Sequence, residues 1–442
     1  MATLTVAPRG PLRGRLGVPG DKSISHRAVL LAALGEGTSR LRGLSGGEDV
    51  GATLGAVAAL GAGVTPGDQA DPVGGRRGAR SVRIEGGRRR LHEPEAVLEV
   101  GNSGTALRLL AGAVAGLPGL TVLQGDASVA RRPMDRVATP LRAMGAGMDG
   151  RAAGRLPPLV VRGGDLSGID HTPPVASAQV KGAILLAGLA AAGETVIREP
   201  VATRAHTEEL LTRCGAHVRV TPAGAGQAVA VRAGSLEPLD LEVPGDPSQA
   251  AFWVVAACLV PGSEVRVDQV YVGPGRAGFL DVLARMGAEV EVHHREATTA
   301  DLLARYGPLR GTEVAPEEVP ALVDEVPVLA VAAALAEGAT RFRGVGELRV
   351  KESDRLAAIQ DLLGAVGGRV EVVGDDLVVT GAGALHGDRV ASRGDHRIAM
   401  AGAVAGLVAT GATTVEGWEG VATSYPGFEE DLAGLWPGGG PG

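Results

Sequence analysis

The sequence predicts an α/β fold built from one supersecondary unit used six times, and three observations lead there. An Ala/Leu/Val-rich segment recurs behind a polar opening near Gly20, Gly101, Ser177, Gly245, Asp324 and Gly394, at intervals of about 70–80 residues. That interval is too long for a solenoid unit and suits a compact βαβ module with an extra hairpin. A second helical stretch follows in most units and stops at a glycine: Leu60-Gly61-Ala62, Met144-Gly145-Ala146, Cys214-Gly215-Ala216, Met286-Gly287-Ala288 and Val366-Gly367-Gly368. Finally, 45% of residues are hydrophobic but only 2% are aromatic, so the cores must be assembled from Ala, Val and Leu at close helix–sheet spacing. At 442 residues the chain has room for two or more domains, and six modules divide into two domains of three.

Taken in order, Met1 to Gly20 is basic and lacks an apolar centre; it is expected to form a short strand pair rather than a signal peptide. The stretch Pro19-Gly20-Asp21-Lys22-Ser23-Ile24-Ser25-His26-Arg27 then opens the first apolar helix, with Ser23 or Ser25 as the expected cap. Lys22, His26 and Arg27 crowd that first turn, where cations oppose the helix dipole. A bound anion would reverse the penalty; otherwise the basic residues simply lean into solvent. Thr65–Pro94, rich in Gly, Arg and Pro, is expected to be a hairpin with a mobile loop. Gly101-Asn102-Ser103-Gly104-Thr105 opens the second apolar helix with small residues that let a ligand approach the backbone. Arg131-Arg132-Pro133 lies in a loop, Ser177-Ala178-Gln179 with Lys181 opens the third helix, and Thr203-Arg204 follows in a turn.

In the second half, Gly273-Pro274-Gly275-Arg276-Ala277-Gly278 lies between a strand and a helix as a dinucleotide fingerprint would. The same helix recurs in other modules without the glycines, so the match is incidental. Asp324-Glu325 precedes a buried helix, where a dipole-stabilised carboxylate is expected in any case. Lys351, Asp354 and Arg355 fall at spacings that allow solvent-facing ion pairs on a helix. Gly394-Asp395-His396-Arg397 again puts cations at a helix opening. Pro437–Gly442 is expected to be a disordered tail.

The net charge of -7 argues against nucleic acid or a membrane surface as partner. Apolar runs such as Val326–Ala336 are too short to span a bilayer. Two cysteines, Cys214 and Cys258, are too few for a disulfide framework or zinc site and suit a reducing cytoplasm. Of 43 basic residues only Lys22, Lys181 and Lys351 are lysines. A titratable point charge that Arg does not replace makes all three candidates for a site. If the openings converge on one cleft, it is strongly positive and fits a small ligand bearing phosphates and carboxylates.

The motifs DKSISHRA, GNSGTA, RRPM, SAQVK, LRVKESDR and GDHRIAM, in this order, make the chain resemble the 5-enolpyruvylshikimate-3-phosphate synthases over essentially its whole length. The resemblance implies a two-domain inside-out α/β barrel of six βαβαββ repeats, three per domain, that closes on its substrates. Residues 1–20 with 242–442 would form one domain and 21–241 the other. It implies transfer of the enolpyruvyl group of phosphoenolpyruvate to the 5-hydroxyl of shikimate 3-phosphate, by a cytoplasmic monomer needing no metal or cofactor. Carried over by motif, Lys22, Ser23, Arg27, Ser177, Ala178, Gln179, Arg204, Asp324 and Lys351 would hold shikimate 3-phosphate. Lys22, Asn102, Gly104, Arg132, Gln179, Arg355 and Arg397 would hold phosphoenolpyruvate. Asp324, Lys351, Glu352 and Lys22 would serve the proton transfers.

The chain departs from the family pattern at Thr423, where Lys is common, and at Leu109, where Pro often follows the arginine of the GNSGTA helix. Gly104 keeps the small side chain expected where the inhibitor glyphosate fits. The nearest rival family, the UDP-N-acetylglucosamine enolpyruvyl transferases, usually has Lys-Asn at Lys22-Ser23 and a Cys near Arg132, and Gln124–Asp135 contains no Cys. A non-catalytic repeat scaffold would need apolar or aromatic surface anchors; the chain has only ten aromatic residues, and a scaffold gives no reason for three lysines at helix openings.

Overall fold

The structure, a computed structural model, describes residues 2–67, 76 and 79–436. The expected mobile loop falls largely at 68–75 and 77–78 and the expected tail at 437–442, both outside the described residues. The chain divides into two compact units. One comprises Met1–Pro19, Gly74–Gly78 and Pro244–Gly442, and the other Gly20–Val73 and Ala79–Val243.

The unit centred on residues 20–243 contains three four-stranded sheets that share one pairing scheme: a parallel pair, then two antiparallel neighbours. In the first, Asp240–Glu242 lies parallel to Gly37–Leu44, followed by Arg80–Gly86 and Gly63–Pro66. The second runs Leu98–Glu99, Gly119–Gln124, Leu156–Gly163, Gly147–Gly150. The third runs Asp170–His171, Glu194–Glu199, Gly226–Arg232, Val218–Ala223. Parallel neighbours need a crossover, and the apolar helices Gly104–Ala115 and Ala178–Gly188 supply it in the second and third sheets. These two helices touch backbone to backbone: a Cβ on Gly112 would sit 2.1 Å from the Ala183 carbonyl oxygen, so only glycine permits the approach.

The other unit repeats the scheme. Arg13–Leu16, Glu264–Tyr271, Thr299–Arg305 and Glu289–Glu296 form one sheet. Glu313–Val314, Ala339–Phe342, Asp376–Thr380 and Arg369–Val373 form another. A three-stranded sheet runs Arg389–Ala391, Thr413–Glu416, Thr3–Val6. The two opening strands therefore do not pair with each other, contrary to the expectation from sequence. An isolated two-stranded ribbon buries too little to be stable, whereas Thr3–Val6 and Arg13–Leu16 each complete a sheet whose other strands lie hundreds of residues away.

The first helix of each module is apolar on all sides and accordingly buried. All thirteen residues of Pro247–Leu259 are buried, as are twelve of the thirteen in His396–Val408. Aromatic residues concentrate at one place, where Trp253 stacks on Phe428 at 4.5 Å and donates to the Tyr425 hydroxyl at 2.9 Å. The glycine stops of the second helices behave as the sequence predicts. Gly61, Gly145, Gly215, Gly287 and Gly367 all have φ between 72 and 110°. At each, the glycine N–H reaches back three residues and the next N–H reaches back five, which closes a Schellman motif, as in Gly145 to Arg142 and Ala146 to Leu141. Among the described residues no helix is long and apolar enough to cross a membrane.

Candidate active site

In the unit of residues 20–243, the polar openings of the buried helices are tied to one another. Asp21, rather than Ser23 or Ser25, caps Lys22–Leu34, with its Oδ1 accepting from Ile24 N at 2.8 Å. A carboxylate suits this place because it also offsets the helix dipole. Lys22 Nζ lies 2.8 Å from Asp49 Oδ2. Arg27 is buried and bridges three segments. Its Nε donates to Thr207 Oγ1 at 2.7 Å, Nη1 to the Ser23 carbonyl at 2.9 Å and Nη2 to the Ala178 carbonyl at 3.0 Å. It thereby fixes the Ser23 and Ser177-Ala178 openings side by side.

His26 is not one of the crowding cations that the sequence suggested. Burial, reinforced by the charges of Lys22 and Arg27, holds its pKa well below the ordinary histidine value. Ser103 Oγ caps Gly104–Ala115 by accepting from Ala106 N at 3.1 Å and lies 3.2 Å from His26 Nε2. Its Nδ1 lies 2.7 Å from Thr53 Oγ1, so His26 is a neutral link between two helix openings.

Asn102 Nδ2 donates to Asp126 Oδ2 at 2.7 Å. The same aspartate accepts from Ser128 N and Val129 N and shapes the loop that delivers the buried Arg132. Arg132 Nη1 lies 2.6 Å from where a Cβ on Gly104 would stand, and Arg108 Nη1 lies 2.9 Å from the same point. Arg108 Nη1 also donates to Gln179 Oε1 at 2.8 Å, while Gln179 Nε2 donates to Thr105 Oγ1 at 2.8 Å. Gly104, Arg132 and Gln179 are thus within one side-chain layer, with Arg108, two residues beyond the GNSGTA motif, as an orienting residue that the sequence did not single out. Leu109, where the family pattern often has Pro, is fully buried and packs toward Gly182. Ser177 caps its helix through Val180 N at 3.4 Å, and Arg204 is half-buried in the segment before His206–Arg213. Lys181 does not belong to this polar layer: it is wholly buried and paired with Glu199 and Glu208 at 2.9 and 2.6 Å.

In the other unit Arg355 is the hub. Its side chain is 1% exposed, with Nε 2.8 Å from Asp395 Oδ2, Nη1 3.2 Å from Asp324 Oδ1, and Nη2 bonded to Glu352. Burial opposes its charge, but Asp395, then Glu352 and Asp324, outweigh that and push its pKa above the ordinary arginine value. Lys351 Nζ lies 3.5 Å from Asp324 Oδ1, and Arg397 Nε 4.0 Å from it, while Arg397 Nη1 donates to the Asp324 carbonyl at 3.3 Å. One carboxylate oxygen is therefore shared by three cations. The solvent-facing ion pairs allowed by sequence spacing do not form: Asp354 instead caps Arg355–Ala365 through Ala357 N, and Lys351 lies before the helix.

Asp395, missed from sequence, caps His396–Val408 through Arg397 N at 3.0 Å while binding Arg355. The signal was present. Gly-Asp stands at three helix openings, Gly20-Asp21, Gly245-Asp246 and Gly394-Asp395, and each aspartate is a cap. Thr423 donates to the Gly420 carbonyl and lies 3.4 Å from His396 Nδ1. The dinucleotide-like glycine loop delivers Arg276 into a buried cluster with Asp246, Ser248 and Glu325, a use with no nucleotide in it. Cys214 and Cys258 are buried free thiols, and burial pushes them up to about 11 and about 12. Among the described residues no group of His, Cys, Asp and Glu has the arrangement to hold a metal.

A family model described as EPSP synthase (3-phosphoshikimate 1-carboxyvinyltransferase) matches residues 6–432. The chain is 48% identical over 432 residues to the 3-phosphoshikimate 1-carboxyvinyltransferase of Synechococcus sp. (strain JA-3-3Ab), covering 96% of this chain and 95% of that protein. It is 49% identical over 443 residues to that of Methylobacterium sp. (strain 4-46), covering 98% and 97%. Among solved structures, an EPSP synthase from Acinetobacter baumannii superposes with a TM-score of 0.83 at 38% identity over 98% of both chains. The enolpyruvyl transferase NikO from Streptomyces tendae, at 20% identity over 98% of this chain and 97% of its own and a TM-score of 0.76, shares the mixed α/β fold. The chain belongs to the EPSP synthase (3-phosphoshikimate 1-carboxyvinyltransferase) family.

Proposed function

We propose that this chain transfers the enolpyruvyl group of phosphoenolpyruvate to the 5-hydroxyl of shikimate 3-phosphate by addition and elimination, releasing phosphate. The family match across residues 6–432 carries the reading. Lys22, Ser23, Arg27, Ser177, Ala178, Gln179 and Arg204, with Asp324 and Lys351, bind shikimate 3-phosphate. Lys22, Asn102, Gly104, Arg132, Gln179, Arg355 and Arg397 bind phosphoenolpyruvate. The chemistry needs these residue types. Attack on C2 requires the 5-hydroxyl to lose a proton and C3 to gain one; elimination then breaks the bond from C2 to the phosphate oxygen and takes a proton back from C3, restoring the double bond. Asp324, with Lys351 3.5 Å away, supplies the base, and Glu352 beside Arg355 is the donor to C3. Lys22 assists where the two anions meet. Arginines and lysines offset the repulsion between two anionic substrates and stabilise the charge that develops as phosphate leaves.

The finer architecture follows the same family: two domains, 1–20 with 242–442 and 21–241, each with three βαβαββ modules of an inside-out barrel, in a cytoplasmic monomer. The test is product analysis by phosphorus-31 NMR after mixing the protein with both substrates. Equimolar phosphate and 5-enolpyruvylshikimate 3-phosphate are expected. Phosphate without the enol ether, which is plain hydrolysis, contradicts the proposal.

A further inference from the structure

Lys181 plays no part in the reaction just described, yet it is the most thoroughly enclosed of the three lysines. Its Nζ donates to Glu199 Oε2 at 2.9 Å, Glu208 Oε1 at 2.6 Å and the Thr203 carbonyl at 3.4 Å. Gln227, on the neighbouring strand Gly226–Arg232, donates to the same two carboxylates at 2.8 and 3.3 Å. The Thr203 hydroxyl donates to the other oxygen of Glu199. All of the charged members are at most 4% exposed. The cluster thus grips Thr203 by both its carbonyl and its side chain, and the next residue is Arg204. At its other end Lys181 lies four residues after Ser177 on the helix whose opening carries Ser177, Ala178 and Gln179.

Burying a lysine and two carboxylates is a poor way to gain stability, because apolar residues of the same volume serve as well or better. Such a cluster is better suited to fixing one geometry among several. We infer that Lys181, with Glu199 and Glu208, is a positioning residue that sets the Arg204 segment against the Ser177 helix opening and so fixes the cradle for the phosphate of shikimate 3-phosphate. This rests on the proposed role of Arg204 at that phosphate.

The test is a double-mutant cycle read in steady-state kinetics. Arg204→Ala raises KM for shikimate 3-phosphate. Lys181→Met does the same, by about tenfold for a misplaced binding group, with kcat and the KM for phosphoenolpyruvate little changed. In the Arg204→Ala background Lys181→Met adds nothing further. Thr203→Val, which keeps the volume and loses only the hydroxyl, raises the same KM several-fold and serves if Lys181→Met does not fold. A multiplicative effect of Lys181→Met or Thr203→Val on top of Arg204→Ala, or equal losses in the kinetics of both substrates, overturns the inference and leaves the role of Arg204 standing. No effect of Arg204→Ala overturns both.

Discussion

Asp395 joins the cap of a buried helix to the arginine hub, so its replacement should disturb stability and the proposed phosphoenolpyruvate contacts together. The side chain is fully buried and accepts from Arg355 Nε at 2.8 Å, Arg355 Nη2 at 3.3 Å, Ser353 Oγ at 3.0 Å and Arg397 N at 3.0 Å. Asp395→Ala removes a helix cap, which costs about 1 kcal/mol. It also strips a buried guanidinium of one of three carboxylates; removing a sole partner costs roughly 3–5 kcal/mol, and the survival of Asp324 and Glu352 places this loss at about 2–3 kcal/mol. The sum is about 3–4 kcal/mol, which in a unit of some two hundred residues lowers the melting temperature by roughly 10 °C. Asp395→Asn keeps an acceptor for Arg397 N but turns an amide N–H₂ toward Arg355, so it falls between. Scanning calorimetry measures the shift, and steady-state kinetics should show KM for phosphoenolpyruvate rising more than that for shikimate 3-phosphate. A melting temperature within about 2 °C of wild type for Asp395→Ala, with both KM values unchanged, would refute this reasoning.

Three further outcomes can be checked independently. Gly104→Ala places a methyl group 2.6 Å from Arg132 Nη1 and displaces that guanidinium; KM for phosphoenolpyruvate should rise and glyphosate inhibition weaken in inhibition kinetics, with KM for shikimate 3-phosphate preserved. His26 is held neutral, so below about pH 6.5 the unfolded chain takes up a proton there that the folded chain refuses. Its contribution is complete above that pH and is lost as pH falls toward the depressed folded value, with a limiting slope of about 1.4 kcal/mol per pH unit. Thermal melts from pH 7.5 to 5.5 should be steeper for wild type than for His26→Gln. Cys214 and Cys258, with pKa values raised to about 11 and about 12, should resist a thiol-selective disulfide reagent at pH 8 in the native protein and react only on unfolding.

What could be read in the sequence was local. The apolar period of the first helices and the glycines after the second ones are set by neighbours within a turn or two, and all five glycine stops close as Schellman motifs. The motif residues of each helix opening are likewise near one another in the chain, and Arg27 does join the Ser23 and Ala178 openings. What could not be read was long-range partnership. Thr3–Val6 pairs with Thr413–Glu416 because the sheet lacks that strand, a fact invisible in the first twenty residues. The scarcity of lysine marks Lys181 as a site candidate, but Glu199 and Glu208 claim it through the fold. His26 carries no mark in sequence of the burial that neutralises it. Asp395 stands beside cations that mask it in the sequence, and only the recurrence of Gly-Asp at helix openings marks it as a cap.

The central claim is that the anions used here are those of shikimate 3-phosphate and phosphoenolpyruvate, and acceptor choice tests it most directly. Phosphate release from phosphoenolpyruvate should be measured with shikimate 3-phosphate, with UDP-N-acetylglucosamine, and with no acceptor. Release with shikimate 3-phosphate alone is predicted; release only with the sugar nucleotide, or in none of the three, would contradict the account.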